Sequence, residues 1–583
     1  MFKIDSKIEN KFTSLAIKEI FRLLKQILSS KELKNLEIVY PPNQEMGNFS
    51  LPCFNLAKTQ KKSPLKIAKE LSKKIRLKKK GIICEIKNQG PYLNFFVNSE
   101  KMAKSILKDI FGKKEKVGEN KSGRNKKIII EYVSPNTNKP LHLGHGRNAF
   151  LGWSVSKILK ANGYKIIKAC LINDRGVHIC KSMLAYLEKG KNLLPEEIGI
   201  KGDHFVGDYY TMFEDMRKQN PDLEKKARGM LIKWEKGDKK ILDLWKKMNN
   251  WTLNGIKETF DKIGIKFDKF YFESQIYKQG KDIILKGFKN KQFVKKDKAI
   301  VADLKKYNLP DKVLLRSDGT ALYITQDIYL IYLKQKDFNP DKIIHIIGSE
   351  QDLAQKQLFA IMDILGFKQS KNLYHLSYGM VNVHGGKLKS REGTRVDLDV
   401  LIKDLGKMAS LEIRARDEKI NEVELEKRSQ AIALGALKYY ILQYDPKTIV
   451  NFNPKKSLAF EGHTGPYLQY SYARISGIIK KSKTEINKNV DFSKLRIKQE
   501  KELIFLLSKF SEIIKDSGKN YDPSILAKYL YDLAKSFHSF YHICPVLKAK
   551  KEIKKGRLLL IYCVAQIIKK GLDLLGIEVL EEM

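Results

Sequence analysis

The stretch from Lys127 to Asp174 constrains the fold more than any other part of the chain. A strand-like run, "KIIIEYVS", leads into the loop "PNTNKPLHLGHGRN". The apolar-periodic "AFLGWSVSKILKANGY" and a second strand-like run, "KIIKACLIND", follow. Strand, loop, helix and strand in this order make a βαβ unit, which demands a parallel sheet and directs ligands to the carboxyl ends of its strands. "DKIIHIIGSE", followed by the helix-like "QDLAQKQLFAIMDILGF", predicts a second such unit in the same sheet.

The loop itself is built for an anion. Between a strand end and a helix start, backbone N–H groups and the positive end of the helix dipole favour phosphate. Pro140 is expected in the first helical turn, where its missing N–H costs nothing. Gly144 has no Cβ and lets a flat ligand such as a purine approach the backbone. His142 and His145, three residues apart, are expected on one helix face with both rings able to donate toward one phosphate, and Lys139 adds a full charge nearby.

The rest of the chain divides by composition and period. Residues 1–110 predict a small α+β domain, and 111–127 ("FGKKEKVGENKSGRNKK") is polar, basic and Gly-containing, as suits a linker. Residues 128–404 hold the α/β unit, in which a charged, helix-rich stretch at about 181–267 reads as an insertion. From 405 the pattern is almost wholly helical, with 405–460 as a stem and 461–583 as an all-α domain. The net charge of +45 over 583 residues favours a polyanionic partner, although AT-rich codon usage produces the same excess of Lys, Ile and Asn. The six cysteines are scattered without a C-x-x-C pair, which argues against a disulfide framework or a structural zinc site. No secretory leader and no apolar run of membrane-spanning length is present, so a soluble, cytoplasmic protein with no membrane partner is expected.

At the loop the residues resemble a known family. "HLGH" is similar to the HIGH signature of class I aminoacyl-tRNA synthetases, and "EYVSPNTNKPLHLGHGR" resembles its arginyl-tRNA synthetase form. Further matches follow in the family's order: "ALYITQDI" (321–328), "IIGSEQDLAQKQLF", "EGHTGPYLQYSYARI" (461–475) and "YDLAKSFHSFYHICPVL". The resemblance implies a Rossmann-type α/β catalytic domain with a parallel sheet. An appended N-terminal α+β tRNA-binding domain and an all-α C-terminal anticodon-binding domain accompany it. It implies arginine–tRNA ligation, with ATP and Mg2+ as substrate, no protein-bound metal, L-arginine and tRNA(Arg) as partners, and a monomer.

Carried over by motif position, the resemblance assigns roles. His142, His145, Lys139, Lys387 and Lys389 would be catalytic. His142, Gly144, His145, Gly348 and Glu350 would bind ATP. Glu131, Ser134, Asn136, His145, Tyr323, Asp327 and Gln351 would bind arginine, with Asp327 meeting the guanidinium and Tyr323 on the same helix face. Phe537 and Tyr541, at helical spacing, are the expected stacking surface for tRNA bases. One departure stands out. In "KLKSREG" (387–393), Ser390 occupies the place of the family's second loop lysine, and Lys139 would supply the missing leaving-group charge. Scattered cysteines speak against a zinc-holding cysteine enzyme, and the intact His142, Gly144 and His145 speak against a silent RNA-binding relative.

Overall fold

Strand Lys127–Glu131 lies at the centre of a five-stranded parallel sheet because Ile128, Ile129 and Ile130 are buried on both of its faces. The computed structural model describes residues 10–190, 192–383 and 396–583. Across the sheet the order is Leu373–Tyr378, Lys342–Gly348, Lys127–Glu131, Lys165–Ile172 and Lys269–Phe272, all parallel. The chain leaves the central strand toward Lys165–Ile172 and later returns on its other side through Lys342–Gly348. The carboxyl ends of these two neighbours of the centre therefore frame a switch point, where open α/β sheets place their ligands. In the pairing, Glu131 stands opposite His345.

The insertion begins earlier than expected, at helix Val177–Lys189, and continues through helices Gly202–Gln219, Asp222–Glu235 and Lys239–Lys262. These helices bury a core of their own around Phe205, Val206 and Phe213. A small antiparallel sheet, Val294–Lys296, Ala299–Ala302 and Lys312–Leu315, follows and had no sequence expectation. Its three short strands carry too few alternations to stand out from the flanking helices.

Residues 111–127 differ from a flexible linker. Helix Ser99–Lys113 takes up their start, and Val117 is buried. Gly118 has φ +80, and a Cβ there would lie 2.4 Å from Ile514 Cδ1. Asn120 Nδ2 donates to Asn162 Oδ1 at 2.8 Å, so the segment is bonded to the end of helix Leu143–Ala161. The expected helical stem also contains a strand, Val450–Phe452, paired in parallel with Val381–Val383.

The N-terminal domain packs a three-stranded antiparallel sheet, with Tyr92–Val97 in the middle, against helices including Lys11–Leu24 and Pro64–Lys74. It docks on the C-terminal helix Lys498–Asn520, where Tyr40 donates to Glu512 at 2.8 Å and Asn10 Nδ2 donates to the Ser508 carbonyl at 2.8 Å. One continuous apolar core runs from this domain through helix Leu143–Ala161 into the C-terminal helices.

Within those helices a charge pair is taken out of water. Arg557 Nε donates to Glu500 Oε1 at 2.7 Å and Arg557 Nη1 to the Pro545 carbonyl at 2.7 Å, and Glu500 is wholly buried. Breaking such a pair leaves an uncompensated buried charge, which costs about 3–5 kcal/mol. Glu500→Leu is therefore expected to lower the denaturation midpoint of the helical domain sharply, and Glu500→Leu with Arg557→Met to recover most of it. Equal midpoints for the single and double variants in thermal melts would contradict the pairing argument.

Candidate active site

The loop after the central strand is under backbone strain. Val133 has φ +73 and Ser134 φ +45, the left-handed region that a β-branched residue in particular avoids. Asn148, on the following helix, holds the turn in place. Its Oδ1 accepts the Val133 N–H at 2.6 Å, and its Nδ2 donates to the Ile346 carbonyl at 2.8 Å and to Tyr378 Oη at 3.2 Å. One side chain thus ties the ends of three strands at the switch point. Asn173 closes the other flank, donating through Nδ2 to the Ser134 carbonyl at 3.0 Å and pairing its backbone with Asn136.

Helix Leu143–Ala161 starts at the histidine pair. His142 is its N-cap: Nδ1 accepts the Gly144 N–H at 3.1 Å, while His145 Nδ1 accepts the His142 N–H at 3.2 Å. The rings stack with centroids 3.8 Å apart. Because each Nδ1 is an acceptor, each neutral ring carries its proton on Nε2 and can donate it. Gly144 is required by the cap itself, since a Cβ there would lie 2.9 Å from His142 Cε1. Pro140 is not in the first turn, as expected from sequence, because the helix begins three residues later. It packs instead on the insertion, where Gly207 leaves room for its ring. Burial, and then the nearby charges of Lys139 and Lys181, push the His178 ring down to about 4.

Lys387, Lys389 and Ser390 fall outside the described residues, but the chain that follows them is anchored on the signature. The Leu143 N–H donates to the Val396 carbonyl at 2.9 Å and the Leu398 N–H to the Leu141 carbonyl at 2.9 Å. Asp203, His204 and Asp399, which carry metal-ligating atoms within 4.8 Å of one another, lie beside this anchor. Lys201 Nζ is 3.1 Å from Asp203 and 2.7 Å from Asp399, so an ammonium already supplies the cation.

A cluster of carboxyl groups gathers at the ends of the central strand and its right-hand neighbours. Asp327, in the first turn of helix Ile324–Phe338, has no side-chain hydrogen bond or ion pair among the described residues. Burial, together with the charge of Glu131 and against the pull of Lys334, pushes it up to about 7. Glu273 follows strand Lys269–Phe272 and is buried, with Arg175 Nη1 3.9 Å away. Burial first, then the facing Asp174 and Asp327 against Arg175, push it up to about 7 as well. Glu131 differs, because against its burial Lys334, 2.5 Å away, holds it below the usual range.

The remaining expected residues are more scattered. Tyr323 caps the Asp327 helix and is 72% exposed, and its carbonyl accepts the Asp327 N–H at 3.4 Å. Gly348 ends its strand, with Glu350 and Gln351 exposed just beyond it, and Gln351 makes no side-chain hydrogen bond to Asp327 or Tyr323. Phe537 is a correction: its ring is fully buried in the helical core and cannot stack on a base. Tyr541, one turn on, is half-buried, with the Arg474 guanidinium 5.1 Å from its ring centroid and 4.8 Å from that of Tyr470. Sequence reasoning missed Asn148, Glu273 and Lys334. Glu273 did carry a signal, a lone carboxylate at the end of the strand-like "KFYF".

With this geometry in place, comparisons with known proteins identify the family. Residues 106–453 match the model for tRNA synthetases class I (R), catalytic domain. Residues 468–583 match the DALR anticodon binding domain and 13–97 the arginyl tRNA synthetase N terminal domain. The chain is 44% identical over 566 residues to the arginine–tRNA ligase of Treponema denticola, covering 94% of this chain and 95% of that one. The solved arginyl-tRNA synthetase of Thermus thermophilus superposes with a TM-score of 0.81 at 25% identity, covering 97% of this chain and 99% of that one. That of Plasmodium falciparum shares the fold, with a TM-score of 0.79 at 21% identity over 99% of this chain and 100% of that one. The chain belongs to the arginyl-tRNA synthetase family of class I aminoacyl-tRNA synthetases.

Proposed function

We propose that the histidine loop and the carboxyl cluster together carry out the family's two-step reaction. The chain is an arginine–tRNA ligase. An arginine carboxylate oxygen attacks the α-phosphorus of Mg-ATP, the bond to the β-phosphate oxygen breaks, and pyrophosphate leaves arginyl-adenylate behind. A hydroxyl of the terminal tRNA adenosine then takes the arginyl group and AMP departs. The observation that carries the reading is Asp327, a half-buried carboxyl group without a partner among the described residues, flanked by the carboxylates of Glu131 and Glu273. Burying a carboxylate is costly unless a cation pairs with it, and a guanidinium pairs through two parallel N–H···O bonds.

In this reading Asp327 and Glu273 meet the guanidinium and Tyr323 closes over it. Ser134 and Asn136 border the α-amino and carboxylate groups, with Glu131 beneath, and Gln351 stands beside the guanidinium. His142 and His145 donate Nε2–H toward the phosphate that is being displaced, Gly144 admits the nucleotide, and Gly348 and Glu350 border its far side. Lys139, Lys387 and Lys389 supply charge to the departing pyrophosphate, Lys139 in place of the lysine replaced by Ser390. On the helical domain, Tyr541 and Tyr470 with Arg474 between them offer faces and a cation to unpaired bases. Among the described residues no helix is long and apolar enough to cross a membrane. The chain is proposed to act as a cytoplasmic monomer.

Arginine-dependent exchange of pyrophosphate into ATP, measured with and without tRNA(Arg), tests the assignment. No exchange under either condition with folded protein would overturn it. Asp327→Asn is expected to lower kcat/KM for arginine about 100- to 1000-fold with the KM for ATP nearly unchanged, the loss expected when a buried charge partner is removed. A loss under about fivefold would remove Asp327 from the guanidinium site.

The acidic pocket also sets a pH dependence. Guanidinium binding requires ionised carboxylates, and Asp327 and Glu273 both sit at about 7 in the free protein. Protonation at lower pH therefore competes with arginine, and the KM for arginine should fall as pH rises from about 6 to about 8. A KM that is flat or rises across that interval would contradict the site. For Lys139, Lys139→Ala should slow adenylate formation about tenfold or more, as loss of a charge at a departing anion does. A loss no larger than that of the exposed Lys246→Ala would assign Lys139 no part in the step.

A further inference from the structure

Lys334 is a fully buried lysine. It lies on the Asp327 helix, two turns further on, and is 0% exposed. A lysine is almost never buried to this extent unless it is paired. Its Nζ is 2.5 Å from Glu131 Oε2 and 3.2 Å from His345 Nε2, and His345 Nδ1 is 3.0 Å from Gln355 Oε1. An ammonium has no lone pair, so His345 Nε2 must accept, and the ring proton then sits on Nδ1 and is donated to Gln355. Burial, and then Lys334 itself, push that imidazole down to about 4, so the ring stays neutral. Glu131, Lys334, His345 and Gln355 come from two strands and two helices and make one buried chain of bonds that ends on Glu131.

We propose that Lys334 is a positioning residue for amino-acid selection: it neutralises Glu131 from below and fixes it against His345, leaving Asp327 as the carboxylate that ionises to meet the guanidinium. The inference rests on the reading of Asp327 given above. Glu131 lies close enough to raise Asp327, and two neighbouring carboxylates without a cation cannot both stay ionised. Lys334 resolves the conflict by cancelling one of them. The charged and titratable groups facing Asp327 are Glu131 on the central strand, Lys334 on its own helix and Glu273 on the short helix Glu273–Ile276. Arg175 and Asp174 stand behind Glu273, and His345 on the neighbouring strand is neutral.

The test is arginine-dependent pyrophosphate exchange by the full-length protein, Lys334→Met and Lys334→Arg, run from about pH 6 to about 9. Removing the cation raises the pKa of Asp327 and Glu131, so more base is needed to ionise the pocket. Lys334→Met should raise the KM for arginine at least about tenfold at pH 7, leave the KM for ATP within about twofold, and move the midpoint of the arginine KM profile about one pH unit alkaline. Lys334→Arg keeps the charge and should bring the midpoint back. Lost activity with an unmoved midpoint is the mark of packing alone and overturns the proposal. If Lys334→Met does not fold, Glu131→Gln is compared with Glu131→Gln combined with Lys334→Met, which removes the buried charge pair as a unit. With the Glu131 charge already gone, Lys334 has nothing left to cancel, so the two midpoints should agree within a few tenths of a pH unit; an alkaline shift between them of about one unit would mean that Lys334 acts on Asp327 without Glu131 and overturns the proposal. Wild-type protein without arginine-dependent exchange overturns the arginine reading and this proposal together, whereas active wild type with unmoved variants overturns this proposal alone.

Discussion

The structure turns on the hydrogen bonds of Asn148. At the switch point of a parallel sheet the neighbouring strands part company, and the backbone groups at their ends lose the ladder that paired them. Asn148 meets the Val133 N–H and the Ile346 carbonyl with the two ends of one amide. A buried backbone donor left without a partner costs about 1–3 kcal/mol, so this side chain makes the left-handed turn at Val133 and Ser134 affordable. The turn in turn sends the chain across the strand ends to Asn136 and on to the histidine pair. Arg147, the preceding residue, extends the same anchoring. Its guanidinium donates to the carbonyls of Met380, Pro446 and Thr448, fixing the start of the signature helix to segments far along the chain.

The histidine pair belongs to this local logic as much as to the phosphate site proposed for it. A helix start has N–H groups without intrahelical partners, and Ser, Thr, Asp or Asn commonly supplies the cap. Here two imidazoles do so, which commits each Nδ1 to the backbone and each neutral Nε2 to donation. The cap also explains the glycine between them, since the ring of His142 occupies the space that a side chain at Gly144 would need. Structure and chemistry therefore use the same atoms: the bonds that start the helix set the tautomers offered to the ligand.

How much of this was legible in the sequence depended on whether a signal was local. The parallel sheet, the helical end and the histidine loop announce themselves through period and spacing within about twenty residues. Asp327 was found through its motif, whereas its lack of a partner among the described residues is a fact of the fold. Phe537 and Tyr541 share one helical stripe, and periodicity cannot say which ring turns inward; packing put Phe537 in the core and left Tyr541 at its margin. Residues 111–127 looked like a linker because polar composition does not reveal that Gly118 fits beneath Ile514, nearly four hundred residues away. Lys334 was invisible for the same reason. In "IYLIYLKQK" it reads as one more lysine in a lysine-rich chain, and only the register that sets Glu131 opposite His345 gives it two partners.

The charge of the chain sharpens the problem that the pocket solves. A protein carrying +45 attracts ATP and tRNA but repels the cation it must also bind. Surface charge is screened over about 8 Å at physiological salt, whereas groups in a low-dielectric pocket act on a ligand at full strength. The contest is therefore decided locally. Around the candidate guanidinium site four carboxyl groups, Glu131, Asp174, Glu273 and Asp327, face two fixed cations, Arg175 and Lys334. The excess of anions is held back by protonation, since two of the four sit at about 7. At the proposed site an arriving guanidinium would displace that proton population, while a neutral isostere would leave the carboxyl groups no better paired than before. In the proposed site, selection for a cation in a basic protein would thus come from acids kept near their titration point by burial, with the buried Lys334 and the half-buried Arg175 setting how near.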